Sequence, residues 1–195
     1  MRLKKQLPLD KKILSTVELR KMGFTYFIIN QLVEEGRLRK LNKSNFENCD
    51  FSGEDSDFYY VQAYTPSGVI CLLSAAVYYR LSNYRPDAID IAVPKNKRIT
   101  TLPDWPYFKL YYFDELRYET GMIKVGDLNN WFKIYDVEKT VVDVIYYRNK
   151  VGIEETKEIL INYLNREDRD LNKLIRYGEL LKCSDILKTY LEVLV

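Results

Sequence analysis

Residues 15–46, STVELRKMGFTYFIINQLVEEGRLRKLNKSNF, decide how this chain is read. Two short apolar-periodic segments each run into a glycine, and a stretch rich in Lys and Arg follows. Thr16 is placed to cap a helix over VELRKM, which Gly23 stops. Thr25 is the expected cap of the next helix, with Phe24 before it and Ile29 four residues after it set for a hydrophobic staple, and Gly36 closes that helix. Residues 9–14 read as the end of a preceding helix. The segment 37–45, RLRKLNKSN, is basic with a polar middle and suits a two-stranded ribbon. Helix, turn, capped helix and basic ribbon follow one another in the order of a winged helix-turn-helix.

The period of 3.6 residues sorts the second helix into two faces. Ile28, Ile29, Leu32 and Val33 fall on the inner one, and Phe27, Asn30, Gln31 and Glu34 on the outer. Asn and Gln carry the paired donor and acceptor that read adenine in the major groove, and an aromatic ring touches a thymine methyl. Tyr26, in the first turn, is in reach of a phosphate or a base edge. Arg37, Arg39, Lys40 and Lys43 are cations of the type that contact phosphate, adding affinity and register rather than sequence choice. The competing reading of the same pattern is a small helical module that docks a protein.

The charge distribution favours a polyanion. Residues 1–45 hold 11 Lys/Arg against 4 Asp/Glu, a net +7, and residues 46–195 hold 19 against 24, a net −5. A basic head on an acidic body is expected where one end meets nucleic acid and the other does not. No apolar run reaches the roughly 18 residues of a membrane span, and MRLKKQLPLDKKILS lacks the apolar stretch of a secretory signal, so a cytoplasmic protein is expected. Cys49, Cys71 and Cys183 are too few and too scattered for a disulfide framework or a metal knuckle. The sequence has no histidine, which removes the usual general base and the commonest zinc ligand.

Beyond residue 46 the pattern changes. ENCDFSGEDSD, 47–57, is acidic and polar and reads as a linker or loop between a head over 1–48 and a body over 58–195. In the body, FYYVQAY and ICLLSAAVYYRL read as helices, IDIAV and FKLYYF as strands, and MIKVG with WFKIY as a hairpin. Asp136 is placed to cap a helix over VEKTVVDVIYYR, Gly152 separates it from IEETKEILINYL, and helices near 170–182 and 184–195 follow. The expected class is α+β: an N-terminal winged helix-turn-helix, then a mixed domain with a small β-sheet and C-terminal helices. The tyrosine doublets, such as Tyr59-Tyr60 and Tyr111-Tyr112, fit segments with one ring inward and its neighbour at the boundary rather than a stacking platform for single strands.

Asp87, Asp90 and Asp143 are the one constellation that suggests an enzyme, since clustered carboxylates hold the metal ions of nucleotidyl or phosphoryl transfer. Their pattern argues against it: position 92, two residues after Asp90, is Ala rather than a second Asp. Asp90 is expected as a strand charge paired with Arg or Lys, and Asp143 as a helix-surface residue. No catalytic residue, metal ligand or cofactor site is expected, and a transferase-like body with a DNA-targeting head is the alternative.

Three blocks, GFTYFIINQLVEEGRLRKL, GVICLLSAAVYYRLSNYRPDAIDIAVPKNKR and DVEKTVVDVIYYRNKVG, together resemble the AbiEi antitoxin family of type IV toxin-antitoxin systems. The wing departs from the family pattern, with Ser44-Asn45 standing before Phe46 where a glycine is common. The resemblance implies an antitoxin that binds inverted repeats in its own promoter as an autorepressor and counters a partner nucleotidyltransferase toxin in phage abortive infection. It implies Tyr26, Asn30 and Gln31 as reading residues and Arg37, Arg39, Lys40 and Lys43 as phosphate contacts, while Lys95, Lys97 and Arg98 read equally as a second basic patch or as a solvated loop. Inverted repeats need two heads, which two monomers meeting only on double-stranded DNA supply.

Overall fold

The computed structural model describes residues 6–194, with side chains described through Glu192. Arg2, Lys4 and Lys5, counted in the basic head, and Val195 of the last expected helix lie outside the described residues. The chain is α+β and carries two sheets, of three and five strands. It forms two compact units, one of Met1–Pro66, Ile99–Pro106 and Val125–Phe132, the other of Ser67–Arg98, Tyr107–Lys124 and Lys133–Val195.

The first unit begins with β1 (Ile13–Ser15), α1 (Thr16–Lys21), α2 (Tyr26–Glu34), β2 (Leu38–Lys40), β3 (Asn45–Asn48) and α3 (Tyr59–Tyr64). The central strand is β3, antiparallel to β1 on one side and β2 on the other. The helix expected to end over 9–14 is absent. A turn at 9–10 leads into β1 instead, with Leu14 in register with Phe46. Three residues make too short a pattern to show a period, and their backbone groups are satisfied by β3, distant in sequence.

The helices follow local capping chemistry. Ser15, rather than Thr16, caps α1: its hydroxyl accepts from the Glu18 N–H at 3.2 Å, and the Glu18 carboxylate accepts from the Ser15 N–H at 2.8 Å. This reciprocal capping box satisfies two donors that a helix start leaves open. Thr25 caps α2 as expected, accepting from the Ile28 N–H at 3.3 Å, and Phe24 and Ile29 are both buried. Gly23 and Gly36 follow the two helices with φ of 83° and 72°, the left-handed conformation that ends a helix at little cost in glycine. Leu14, Leu19, Phe24, Ile29, Leu38 and Phe46 belong to the small core under these elements. Leu19 and Leu38 are almost wholly buried, and truncating either to Ala costs about 2–5 kcal/mol.

The β2–β3 turn has no glycine. The Asn42 side-chain oxygen accepts from the N–H groups of Ser44 at 2.9 Å and Asn45 at 3.0 Å, so an Asx turn closes the ribbon. Of the segment expected as a linker, Glu47 and Asn48 are in β3. The loop beyond them is tied into the first unit by ion pairs of Asp50 with Arg37 and Asp55 with Lys12.

The second unit is built around β4 (Val69–Ile70), α4 (Leu72–Tyr78), β5 (Ile89–Pro94), β6 (Phe108–Phe113), α5 (Glu115–Glu119), α6 (Val137–Tyr146), the first three residues of β7 (Met122–Gly126) and the last three of β8 (Trp131–Tyr135). Four helices complete it: α7 (Arg148–Val151), α8 (Ile153–Leu164), α9 (Leu171–Leu180) and α10 (Ser184–Leu194). The sheet order is β6-β5-β4-β8-β7, with β5 parallel to β6, β4 antiparallel to β5 and β4 parallel to β8. ICLLSAAVYYRL is not one helix. Ile70 lies in β4 between Ile91 and Ile134, Leu72 turns the chain at φ 46°, and the helix ends at Tyr78. A short apolar run buried on both sides has no period that separates strand from helix.

Asp136 caps α6 as expected, accepting from the Lys139 N–H at 2.9 Å. That helix is the centre of the unit: every residue from Glu138 to Ile145 is buried. Asp143 is therefore not a surface residue. It is fully buried, accepts from Arg117 Nη1 at 2.5 Å and pairs with Lys139 through its other oxygen. Among the described residues no helix is long and apolar enough to cross a membrane.

Candidate nucleic-acid interface

The outer face of α2 matches the periodicity. Tyr26, Phe27, Asn30, Gln31 and Glu34 are exposed, while Ile29 and Leu32 are buried. Phe27 is 77% exposed. Gln31 Nε2 donates to Glu35 Oε1 at 2.9 Å, and Asn30 has no side-chain hydrogen bond among the described residues. Glu34, next to Glu35, puts a carboxylate on the same face.

The expected phosphate contacts fall into two groups. Arg37 is held by Asp50, with Nε to Oδ2 at 2.9 Å, and Arg39 pairs with Glu47, its register partner on β3. Lys40 and Lys43 are exposed and have no ion pair among the described residues. Behind Arg39 lies a network that the sequence did not suggest. Buried Glu47 accepts from the Tyr60 hydroxyl at 2.8 Å and pairs with Lys12 at 3.0 Å, and Lys12 also reaches Asp55 at 2.7 Å. Burial disfavours the charge on Lys12, but its hydrogen bonds to Asp55 and Glu47 outweigh that and raise its pKa. Burial and the Glu47 hydrogen bond together push the Tyr60 phenol up.

Two further cations lie on α1. Arg20 and Lys21, in the last turn of α1, are exposed and lack a carboxylate partner among the described residues. Arg20 Cζ lies 4.9 Å from the centre of the Tyr26 ring. Their position just before the turn between two short helices was the available signal for them.

Comparison with known proteins adds a distant likeness. No family model matches the chain, and no curated protein matches it. Among solved structures, the RV2827C protein from Mycobacterium tuberculosis aligns with 93% of this chain and 76% of its own, at 18% identity and a TM-score of 0.49.

The remaining charged residues singled out in the sequence lie on the second unit. Lys95, Lys97 and Arg98, on the second unit, are exposed after β5 and show no ion pair among the described residues. Asp87 is exposed, whereas Asp90 is buried on β5 opposite Lys109. The Asp90 carboxylate accepts from the Leu73 N–H at 3.2 Å and bonds to the Tyr111 hydroxyl, and the Asp90 N–H donates to Ser74 Oγ at 2.9 Å. Burial pushes its pKa up to about 6 against the opposing pull of Lys109 and these hydrogen bonds. Among the described residues no group of three or more carboxylates and thiols converges as a metal site, so Asp87, Asp90 and Asp143 do not form the cluster that metal-assisted transfer needs. The first unit also has a groove of about 220 Å³ walled by Ser15, Glu18, Asn45, Tyr59, Asn130 and Trp131 among others. Ser15 and Glu18 bond to each other there, and Asn45 and Asn130 are bonded to backbone.

Proposed function

We propose that this protein is a DNA-binding autorepressor and antitoxin of a type IV toxin-antitoxin operon, with a winged helix-turn-helix as its DNA-binding part. One observation carries the DNA-binding half. The outer face of α2 presents Phe27, Asn30 and Gln31 to solvent, and the ribbon after it carries Lys40 and Lys43 without acid partners. An exposed aromatic and two amides on one helix face, flanked by free cations, have no packing purpose and suit a major groove with its phosphates. The helix, turn, helix and antiparallel ribbon follow the element order of a winged helix.

The antitoxin half rests on the three sequence blocks. In this reading the protein works in the cytoplasm on inverted repeats, each bound by one head, and counters a nucleotidyltransferase encoded beside it. The internal ion pairs of Arg37 and Arg39 shift the expected weight of phosphate binding to Lys40 and Lys43. A mobility-shift titration with the DNA upstream of its own coding sequence tests the repressor role. The full chain binds and Lys40→Ala/Lys43→Ala loses most of that affinity at physiological salt; undiminished binding by the double variant sinks the assignment. Rescue of growth on co-expression with a neighbouring nucleotidyltransferase tests the antitoxin role.

A further inference from the structure

Among the described residues of the head, Arg20 differs from the other arginines. Arg37 and Arg39 each have a carboxylate, whereas Arg20 has a ring and a carbonyl: its guanidinium lies 4.9 Å from the Tyr26 ring centre, and Nη1 donates to the Phe24 oxygen at 3.5 Å. A guanidinium over an aromatic face is held in place without being neutralised, and it keeps its charge and most of its five donors for a second partner. Its planar fork matches phosphate oxygens. An arginine already bonded to a carboxylate must give up that bond to do the same.

The placement fits. Tyr26 is the first residue of α2 and Asn30 stands one helical turn further along the same face, so the braced cation sits at the edge of the surface that carries Asn30 and Phe27. Tyr26 is 63% exposed. We propose that Arg20, braced on Tyr26, is a phosphate contact of the DNA interface, and that Tyr26 is a positioning residue acting through Arg20. This rests on the DNA-binding reading and changes the part assigned to Tyr26, whose ring matters and whose hydroxyl does not.

The test is a fluorescence anisotropy titration of the full chain with a labelled duplex of its upstream DNA, repeated between about 50 and 200 mM salt. Arg20→Ala weakens binding about tenfold and makes the log–log salt slope shallower by about 0.9, the loss of one phosphate contact. Arg20→Lys keeps the wild-type slope, because the charge remains. Tyr26→Phe matches wild type, while Tyr26→Ala weakens binding and keeps the slope. Arg20 is exposed, and equal thermal midpoints establish that the variants are folded. Wild-type affinity and slope in Arg20→Ala overturn the Arg20 contact, and a loss in Tyr26→Phe equal to that in Tyr26→Ala overturns the positioning role. If Lys40→Ala flattens the slope and Arg20→Ala does not, only this inference fails. If the wild type binds no duplex, the DNA-binding reading fails with it.

Discussion

Arg39 and Glu47 stand opposite each other on β2 and β3 and form an ion pair in which the Glu47 side chain is 10% exposed and that of Arg39 55%. Glu47 also carries Tyr60 and Lys12, so one carboxylate holds the ribbon, α3 and the segment before β1 together. Changing Glu47→Gln removes a buried charge that two cations share. The expected loss is about 2 kcal/mol of stability, since Lys12 keeps Asp55 but Arg39 loses its partner. The same change releases positive charge on the ribbon, so affinity for DNA of any sequence rises at low salt while stability falls. Urea midpoints and low-salt titrations measure the two effects, and a variant as stable as wild type contradicts the structural role given to Glu47.

Asp143 holds two cations at once. Arg117 also donates to the Leu181 oxygen at 2.9 Å, joining α5, α6 and the turn after α9. Lys139 lies 4.1 Å from the centre of the Tyr135 ring, and burial pulls its pKa down against the attraction of Asp143. Asp143→Asn strands both cations in the interior, and the expected cost is about 3–5 kcal/mol. Denaturant unfolding reads this directly. A transferase site would require Mn²⁺ uptake by the wild type that is lost in Asp90→Ala, which calorimetry reads. Uptake of that kind favours the enzymatic alternative.

What could be read from the sequence was the local part of the fold. The helices over Tyr26–Glu34 and Val137–Tyr146 show their periods and carry their caps, Thr25 and Asp136, one residue before them. The strand Ile13–Ser15 was hidden because its identity comes from β3, some thirty residues later, through the Leu14 to Phe46 pairing. The same distance hid the charge network. Lys139 and Asp143, one helical turn apart, are a readable pair, but the burial of Asp143 depends on Arg117 on a helix of only five residues. On α2, spacing alone named the exposed residues. The pairing of Arg37 and Arg39 could not be seen, because their acids lie beyond the ribbon turn.

Asp90 predicts a pH dependence. Its carboxyl ionises near 6 in the folded chain and near its ordinary 3.8 when unfolded, so between these values the native state binds more protons. Stability therefore falls as pH rises from about 4 to about 6 and stays lower above that, by up to about 3 kcal/mol from this group. Asp90→Asn keeps an acceptor for the Leu73 N–H and carries no charge to bury. Its urea midpoint measured at intervals from pH 4 to pH 7 is flatter than that of the wild type. Parallel profiles for the two proteins rule out an ionisable Asp90 with a raised pKa.

In the proposed DNA-binding reading, Asn30 is the residue expected to govern sequence choice. Its amide is exposed and unengaged among the described residues, unlike that of Gln31, whose NH₂ is given to Glu35. A free amide offers adenine both a donor and an acceptor, worth about 1–3 kcal/mol of discrimination, and one tethered to a neighbour has one N–H committed and its orientation set by that bond. Asn30→Ala is therefore expected to lower affinity for the operator about tenfold or more while leaving binding to unrelated duplexes and the salt slope unchanged. Gln31→Ala costs less. Removing Glu35 as Glu35→Ala frees Gln31 and lifts a negative charge from the interface, so it tightens binding. Competition titrations against single-base operator variants separate these effects, and an Asn30→Ala protein that still distinguishes every base position shows that α2 does not read sequence through this residue.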